Sequence, residues 1–126
     1  MTKIYVFGPK ERANGVLDIA DAFLESPIDY PLLNSLFRAC RDYSRSSFMI
    51  VTDDAESSFS GDLEMLDDYL REHASAGYDF FTPDKALASY SNFKPDVIIV
   101  SAELRGVPYD EFIKAVKVLE GPEASQ

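Results

Sequence analysis

Hydrophobic positions along this chain keep switching between strand-like runs and helix-like spacing, and the switches fall at glycine and proline. Lys3 to Phe7 is a short β-branched and aromatic run halted by Gly8-Pro9, which predicts a first buried strand. From Gly15 to Ser26, Val16, Ile19, Ala20, Phe23 and Leu24 recur at helical spacing until Pro27, which predicts a helix. Pro31 suits the first turn of a second helix, with Leu33, Leu36, Phe37 and Cys40 on one face. Ser47 to Thr52 is continuously apolar at its centre, the signature of a strand buried on both faces, and Asp53-Asp54 ends it. After the small, polar stretch Ala55 to Ser60, Leu63, Leu66, Leu70 and Ala74 mark a helix running to about Ala76, with Gly77 as its stop. Tyr78 to Phe81 reads as the next strand. Thr82-Pro83 then opens a helix that turns Ala86, Leu87 and Tyr90 inward. Val97 to Val100 is the fourth strand. A loop from Ser101 to Val107 leads to Pro108 and a last helix packing Tyr109, Phe112, Ile113, Val116 and Leu119, closed by Gly121-Pro122.

Alternating strands and helices predict parallel βαβ units and a three-layer α/β sandwich around a short, mostly parallel four-stranded sheet. The length of 126 residues suits one domain, here 1–121, with 122–126 as a frayed tail. With 46% hydrophobic and 27% charged residues the chain can bury a core. Its apolar runs are far shorter than the roughly 20 residues of a membrane span, and the first residues lack a secretory pattern, so a cytoplasmic protein without membrane contact is expected. Cys40 and His73 are the only residues of their kinds, which disfavours a disulfide, a Cys-His zinc site and a Ser-His-Asp triad. Cys40, among apolar helical neighbours, reads as core. His73, late in a helix, reads as a partner of the negative helix end.

Charge narrows the partners. Residues 1–46 hold six basic and six acidic side chains, so the whole net charge of −10 comes from residues 47–126. General nucleic-acid binding is disfavoured, because affinity for phosphate backbones comes mainly from basic residues. Arg38, Arg41 and Arg45 share one helical face, which reads as a solvated face paired with Asp42 and nearby acids ahead of a docking stripe.

Candidate chemistry belongs at the carboxyl ends of the strands, where open parallel sheets bind ligands. The residues there are Gly8-Pro9-Lys10, Asp53-Asp54, Thr82 and Ser101-Ala102-Glu103. If the strands ending at Thr52 and Val100 are neighbours, Asp53, Asp54, Ser101 and Glu103 gather in one crevice, with Lys10 and Arg105 nearby. Like-charged carboxylates about 4 Å apart repel by about 4 kcal/mol at an effective dielectric near 20, which calls for a raised pKa or a cation. Mg²⁺ on Asp53 and Asp54 is one relief; a plain turn or N-cap explains an Asp-Asp step equally. No Gly-rich phosphate loop, dinucleotide fingerprint or nucleophile elbow occurs.

From Phe48 to about Leu119 the chain resembles the first half of a response-regulator receiver domain, within the wider flavodoxin-like group. Phe48-Met49-Ile50-Val51-Thr52-Asp53-Asp54 is similar to that family's first strand and its Mg²⁺-holding acidic pair. Lys94-Pro95-Asp96-Val97-Ile98-Ile99-Val100-Ser101 resembles the strand that ends at the phosphoacceptor aspartate, and Ser101 stands at that position. In the loop that follows, Arg105 replaces the proline of a Pro-Gly pair. Serine cannot form an acyl phosphate, so the resemblance implies a pseudo-receiver. No strands remain after it to supply the family's hydroxyl and lysine. Residues 1–46 would complete the sheet, with Ile4 to Phe7 beside Val97 to Val100, in a permuted or an independently built arrangement.

The leading expectation is a non-enzymatic regulatory or adaptor module that docks another protein, with Tyr30, Phe59 and Phe93 as candidate anchors. The alternatives are a small Mg²⁺-dependent enzyme acting on a phosphate-bearing substrate and an acidic inhibitor that blocks a basic partner. In the enzyme Asp53 and Asp54 hold the metal, Glu103 is the base, and Lys10 or Arg105 neutralises phosphate.

Overall fold

The computed structural model describes residues 2–26, 28–38, 46–53, 61–73 and 77–120. Five strands, β1 (Lys3–Gly8), β2 (Ala22–Glu25), β3 (Phe48–Val51), β4 (Tyr78–Phe81) and β5 (Val97–Ser101), form one sheet. Four helices, α1 (Tyr30–Arg38), α2 (Gly61–His73), α3 (Pro83–Phe93) and α4 (Tyr109–Glu120), cover it. The strand order is β2-β1-β5-β3-β4, and every pair is parallel.

Two-sided burial explains why these sequences are strands. Along β1, β3 and β5 alternate side chains enter two separate cores, so both sets must be apolar. Tyr5, Phe7, Phe48, Ile50, Val97 and Ile99 face α1 and α2, where they meet Leu33, Leu63, Leu66, Tyr69 and Leu70. Ile4, Val6, Met49, Val51, Ile98 and Val100 face α3 and α4, against Ala86, Phe112, Ile113 and Val116. The result is a three-layer α/β sandwich of flavodoxin-like type. The steps from β2 to β3 and from β3 to β4 run one way across the sheet with helices on one face. Those from β1 to β2 and from β4 to β5 run the other way on the opposite face, as crossovers of a single hand require.

The strand order also carries a permutation. Flavodoxin-like sheets have the order 2-1-3-4-5. Numbered from β3 as the first strand, with β4, β5, β1 and β2 following, this sheet has that same order. The first two strands of the chain therefore fill the fourth and fifth places. The expected pairing of Ile4 to Phe7 with Val97 to Val100 is present in register, Ile4 opposite Ile98 and Val6 opposite Val100.

The expected parallel sheet is present, but with five strands rather than four. The extra strand comes from the segment expected to be a helix. Between β1 and β2 the chain makes two 3-10 turns, Lys10–Arg12 and Val16–Asp18, and Gly15 enters the second at φ +81°. Asp21 then ties the backbone to β1 twice: its N–H donates to the Ile4 carbonyl, and its Oδ2 accepts from the Ile4 N–H, each at 2.8 Å. A helix over Gly15 to Ser26 would leave the free edge of β1 without these partners. Val16, Ile19, Ala20 and Phe23 still pack on one core, so their spacing reported burial correctly and backbone shape wrongly. Leu119 also departs from expectation. It is 46% exposed rather than packed, and Val118 beside it is 76% exposed.

Helix ends follow local chemistry. Asp29 Oδ1 accepts from the Leu32 N–H and caps α1. Thr82 occupies the N-cap position of α3 in an extended conformation, followed by Pro83, but its side chain makes no capping bond. His73 Nδ1 donates to the Tyr69 carbonyl at 2.8 Å and its ring stacks on Tyr69 at 4.2 Å, so the histidine does serve the end of α2. At the end of α3, Lys94 holds φ 49° and ψ 62°, the one non-glycine positive φ among the described residues. Lys94→Gly is expected to stabilise the fold by about 0.5–1 kcal/mol, because glycine adopts this conformation without a Cβ clash. A rise in thermal midpoint checks it.

The outer edge at β4 is anchored to α2. Tyr78 Oη donates to Asp67 Oδ1 at 2.6 Å, and Arg71 binds the other oxygen of that carboxylate. Burial first, then the hydrogen bond to Asp67, push the Tyr78 phenol above its ordinary value. A raised phenol pKa favours the protonated form in the folded chain. Its contribution is therefore complete below about pH 10 and is lost as the pH rises through the folded value. Tyr78→Phe is expected to cost about 1–2 kcal/mol at pH 7, and the gap to wild type should close in strong alkali. Urea unfolding at pH 7 and pH 11 measures both. Also on β4, Asp79 Oδ1 accepts from the N–H of Phe80 at 2.8 Å.

Among the described residues no helix is long and apolar enough to cross a membrane. Asp54, Phe59, Cys40, Arg41, Arg45 and the tail 122–126 lie outside the described residues.

Candidate functional site

The candidate site is the carboxyl rim around β5. Because β3 and β5 are neighbours, the ends that carry Asp53 and Ser101 lie side by side, and β1 brings Gly8 to the other flank of β5. The helices after β3 and β5 leave to opposite faces, since α2 packs on one core and α4 on the other. This is the kind of switch point at which parallel sheets hold ligands.

Short contacts shape the rim. The Ala102 N–H donates to the Phe7 carbonyl at 2.8 Å, which extends the β1–β5 ladder one residue past Ser101. Ala102 is buried there against Gly8, where an added Cβ would come within 3.0 Å of the Ala102 methyl carbon. This position needs glycine because of that approach, at a backbone conformation any residue could adopt. The Glu103 N–H donates to Ser101 Oγ at 3.1 Å. The Arg105 N–H donates to Asp53 Oδ2 at 2.6 Å, a bond that spans 52 residues of sequence. At the far flank the Ser26 N–H donates to the Gly8 carbonyl at 2.8 Å, which brings the end of β2 into the same rim.

The expected site residues divide accordingly. Asp53 and the backbone of Arg105 are brought into contact, and Ser101 lies at the end of the strand between β1 and β3. Glu103 and the Arg105 side chain are exposed in the loop after β5, and Lys10 is exposed in the 3-10 turn after β1. Asp54, the second candidate metal ligand, is outside the described residues. Among the described residues no group of three or more His, Cys, Asp or Glu side chains is arranged to hold a metal ion. The expected crowding of Asp53, Asp54 and Glu103 includes a residue outside the described ones; within them, Asp53 accepts the Arg105 N–H. Tyr30 and Phe93, named as anchors, each pack partly against a core.

Sequence reasoning missed Ser26. The apolar spacing from Gly15 onward hid β2, so its rim residue was not considered. The signal that could have found it is the compact run Ala22 to Glu25 ending at Ser26-Pro27, a strand-length stretch bounded by a breaker.

Fold and rim together define a parallel, three-layer α/β protein of flavodoxin-like type with a permuted strand order. Compared with known proteins, the chain matches no family model, no curated protein and no solved structure.

Proposed function

We propose that this chain is a non-enzymatic regulatory or adaptor module, a pseudo-receiver-like scaffold that acts by protein–protein interaction. One observation carries the reading: in the permuted order the third and fourth strands end on Ser101 and Gly8, and Asp53 and Ser26 stand one or two residues past the ends of the first and fifth. The receiver resemblance asks for a phosphoacceptor aspartate at the third place and for a hydroxyl and a lysine from the strands that follow. Serine at 101 cannot form an acyl phosphate, glycine at 8 has no hydroxyl, and serine at 26 carries no positive charge. Asp53, which the resemblance would assign to Mg²⁺, accepts the Arg105 N–H. A scaffold that keeps the arrangement of the strands, with no phosphoacceptor aspartate at its third place among the described residues, suits docking.

The test is a calorimetric titration with Mg²⁺, together with incubation of the chain with Mg²⁺ and a labelled small acyl phosphate, on wild type and Asp53→Asn. The expected result is no Mg²⁺-dependent label and no turnover with either. Labelling or turnover that Asp53→Asn abolishes would replace the docking module with a working phosphoryl-transfer site. Ser101→Asp extends the test: label gained by that variant alone would support receiver ancestry while leaving the natural chain inert.

A further inference from the structure

We infer that residues 102–107 form a strap closed across the switch-point crevice, and that the Asp53 carboxylate is its latch. The strap is attached to both neighbours of β5. At one end the Ala102 N–H is held by the Phe7 carbonyl of β1, and the Ala102 side chain is buried against Gly8. At the other, the Arg105 N–H is held by Asp53 beyond β3. Between and after these ends Leu104 and Val107 dip into the core shared with α3 and α4, while Glu103, Arg105 and Gly106 remain exposed.

The fold gives this strap a consequence beyond ordinary loop packing. It lies on the rim where sheets of this kind receive ligands, and its attachments use groups that a ligand there would need. Ser101 Oγ accepts the Glu103 N–H, the Phe7 carbonyl accepts the Ala102 N–H, and the carboxylate accepts the Arg105 N–H. The chain's own backbone thus engages these acceptors at the rim. Opening the strap frees one hydroxyl, one carbonyl and one carboxylate together. Asp53 is a positioning residue for the strap, and this role stands whether or not the protein docks a partner.

The latch end and the packed end can be loosened separately. Asp53→Ala removes the acceptor. Asp53→Asn keeps a weaker, neutral one. Gly8→Ala pushes Ala102 away, because a methyl cannot sit 3.0 Å from another methyl without movement. Amide hydrogen exchange on the full chain, resolved by residue, reads all three. Asp53→Ala is expected to raise exchange at Arg105 at least tenfold relative to Ile99 in β5, with Asp53→Asn falling between it and wild type. Gly8→Ala is expected to raise exchange at Ala102 first and at Arg105 with it. The inference is overturned if Arg105 exchanges in wild type as fast as an unstructured peptide, or if Asp53→Ala leaves it unchanged. Should Asp53→Ala raise every amide together, Asp53→Asn is read in its place; a local rise at Arg105 then supports the latch and none overturns it.

Discussion

Phe48→Ala is expected to destabilise the fold by about 3–5 kcal/mol, a large part of the total stability of a domain this size. Phe48 is fully buried at the start of β3, an inner strand between β4 and β5, where its ring belongs to the core beneath α1 and α2. Truncation removes the ring's transfer free energy and leaves a cavity between sheet and helices. The cavity can close little, because the β3 backbone is held on both sides, by β4 and by β5. Phe48→Leu, which keeps most of the volume, should lose much less. Urea unfolding of the two variants measures the difference. Equal losses would mean that the core relaxes around the site.

The second large effect is expected at Asp21, where Asp21→Ala should cost about 1–3 kcal/mol. The carboxylate accepts the N–H of Ile4, a residue only 3% exposed, so its removal leaves a backbone donor without its acceptor beside the core. The loss should be local. β2 pairs on one side only, with β1, and Asp21 stands just before it. Hydrogen exchange in Asp21→Ala is therefore expected to rise across Ala22–Glu25 before it rises in β5. Asp21→Asn, which retains an oxygen acceptor, should recover part of the loss.

Legibility varied with how many constraints each segment obeyed. β3 and β5 were readable because continuous apolar runs of strand length leave little room for another backbone, and β4 because its aromatic residues Tyr78, Phe80 and Phe81 stand between Gly77 and Pro83. The helices after β4 and β5 were readable from Pro83 and Pro108 with apolar spacing behind each. β2 was not, because Val16, Ile19, Ala20, Phe23 and Leu24 satisfy a helical period while the deciding contacts, Asp21 with Ile4, lie 17 residues apart. Periodicity reports which side chains are buried and is silent about long-range backbone partners. The site divided in the same way. Asp53 and Ser101 were identifiable as strand-end residues, and the neighbouring of their strands was a stated condition that the sheet meets. The partner of Asp53 was out of reach, because it is a main-chain N–H, identical in every residue but proline.

The permuted strand order also sets how this chain must find its fold. β1 pairs with β5 across 94 positions, Lys3 opposite Val97, whereas β3 and β4 meet across 30, Phe48 opposite Tyr78. Closing the longer loop costs about 1 kcal/mol more entropy, since each doubling of length adds about 0.6. Before β5 arrives, β1 and β2 can form only a two-stranded parallel ribbon, too small to be stable alone. The last strand in sequence is therefore the keystone in time. Local pairing of β3 with β4 can begin early, but the two halves of the sheet become one cooperative unit only when Val97–Ser101 slides between them. Folding governed by such distant contacts is slow, and whatever loosens β5 should retard folding more than it hastens unfolding.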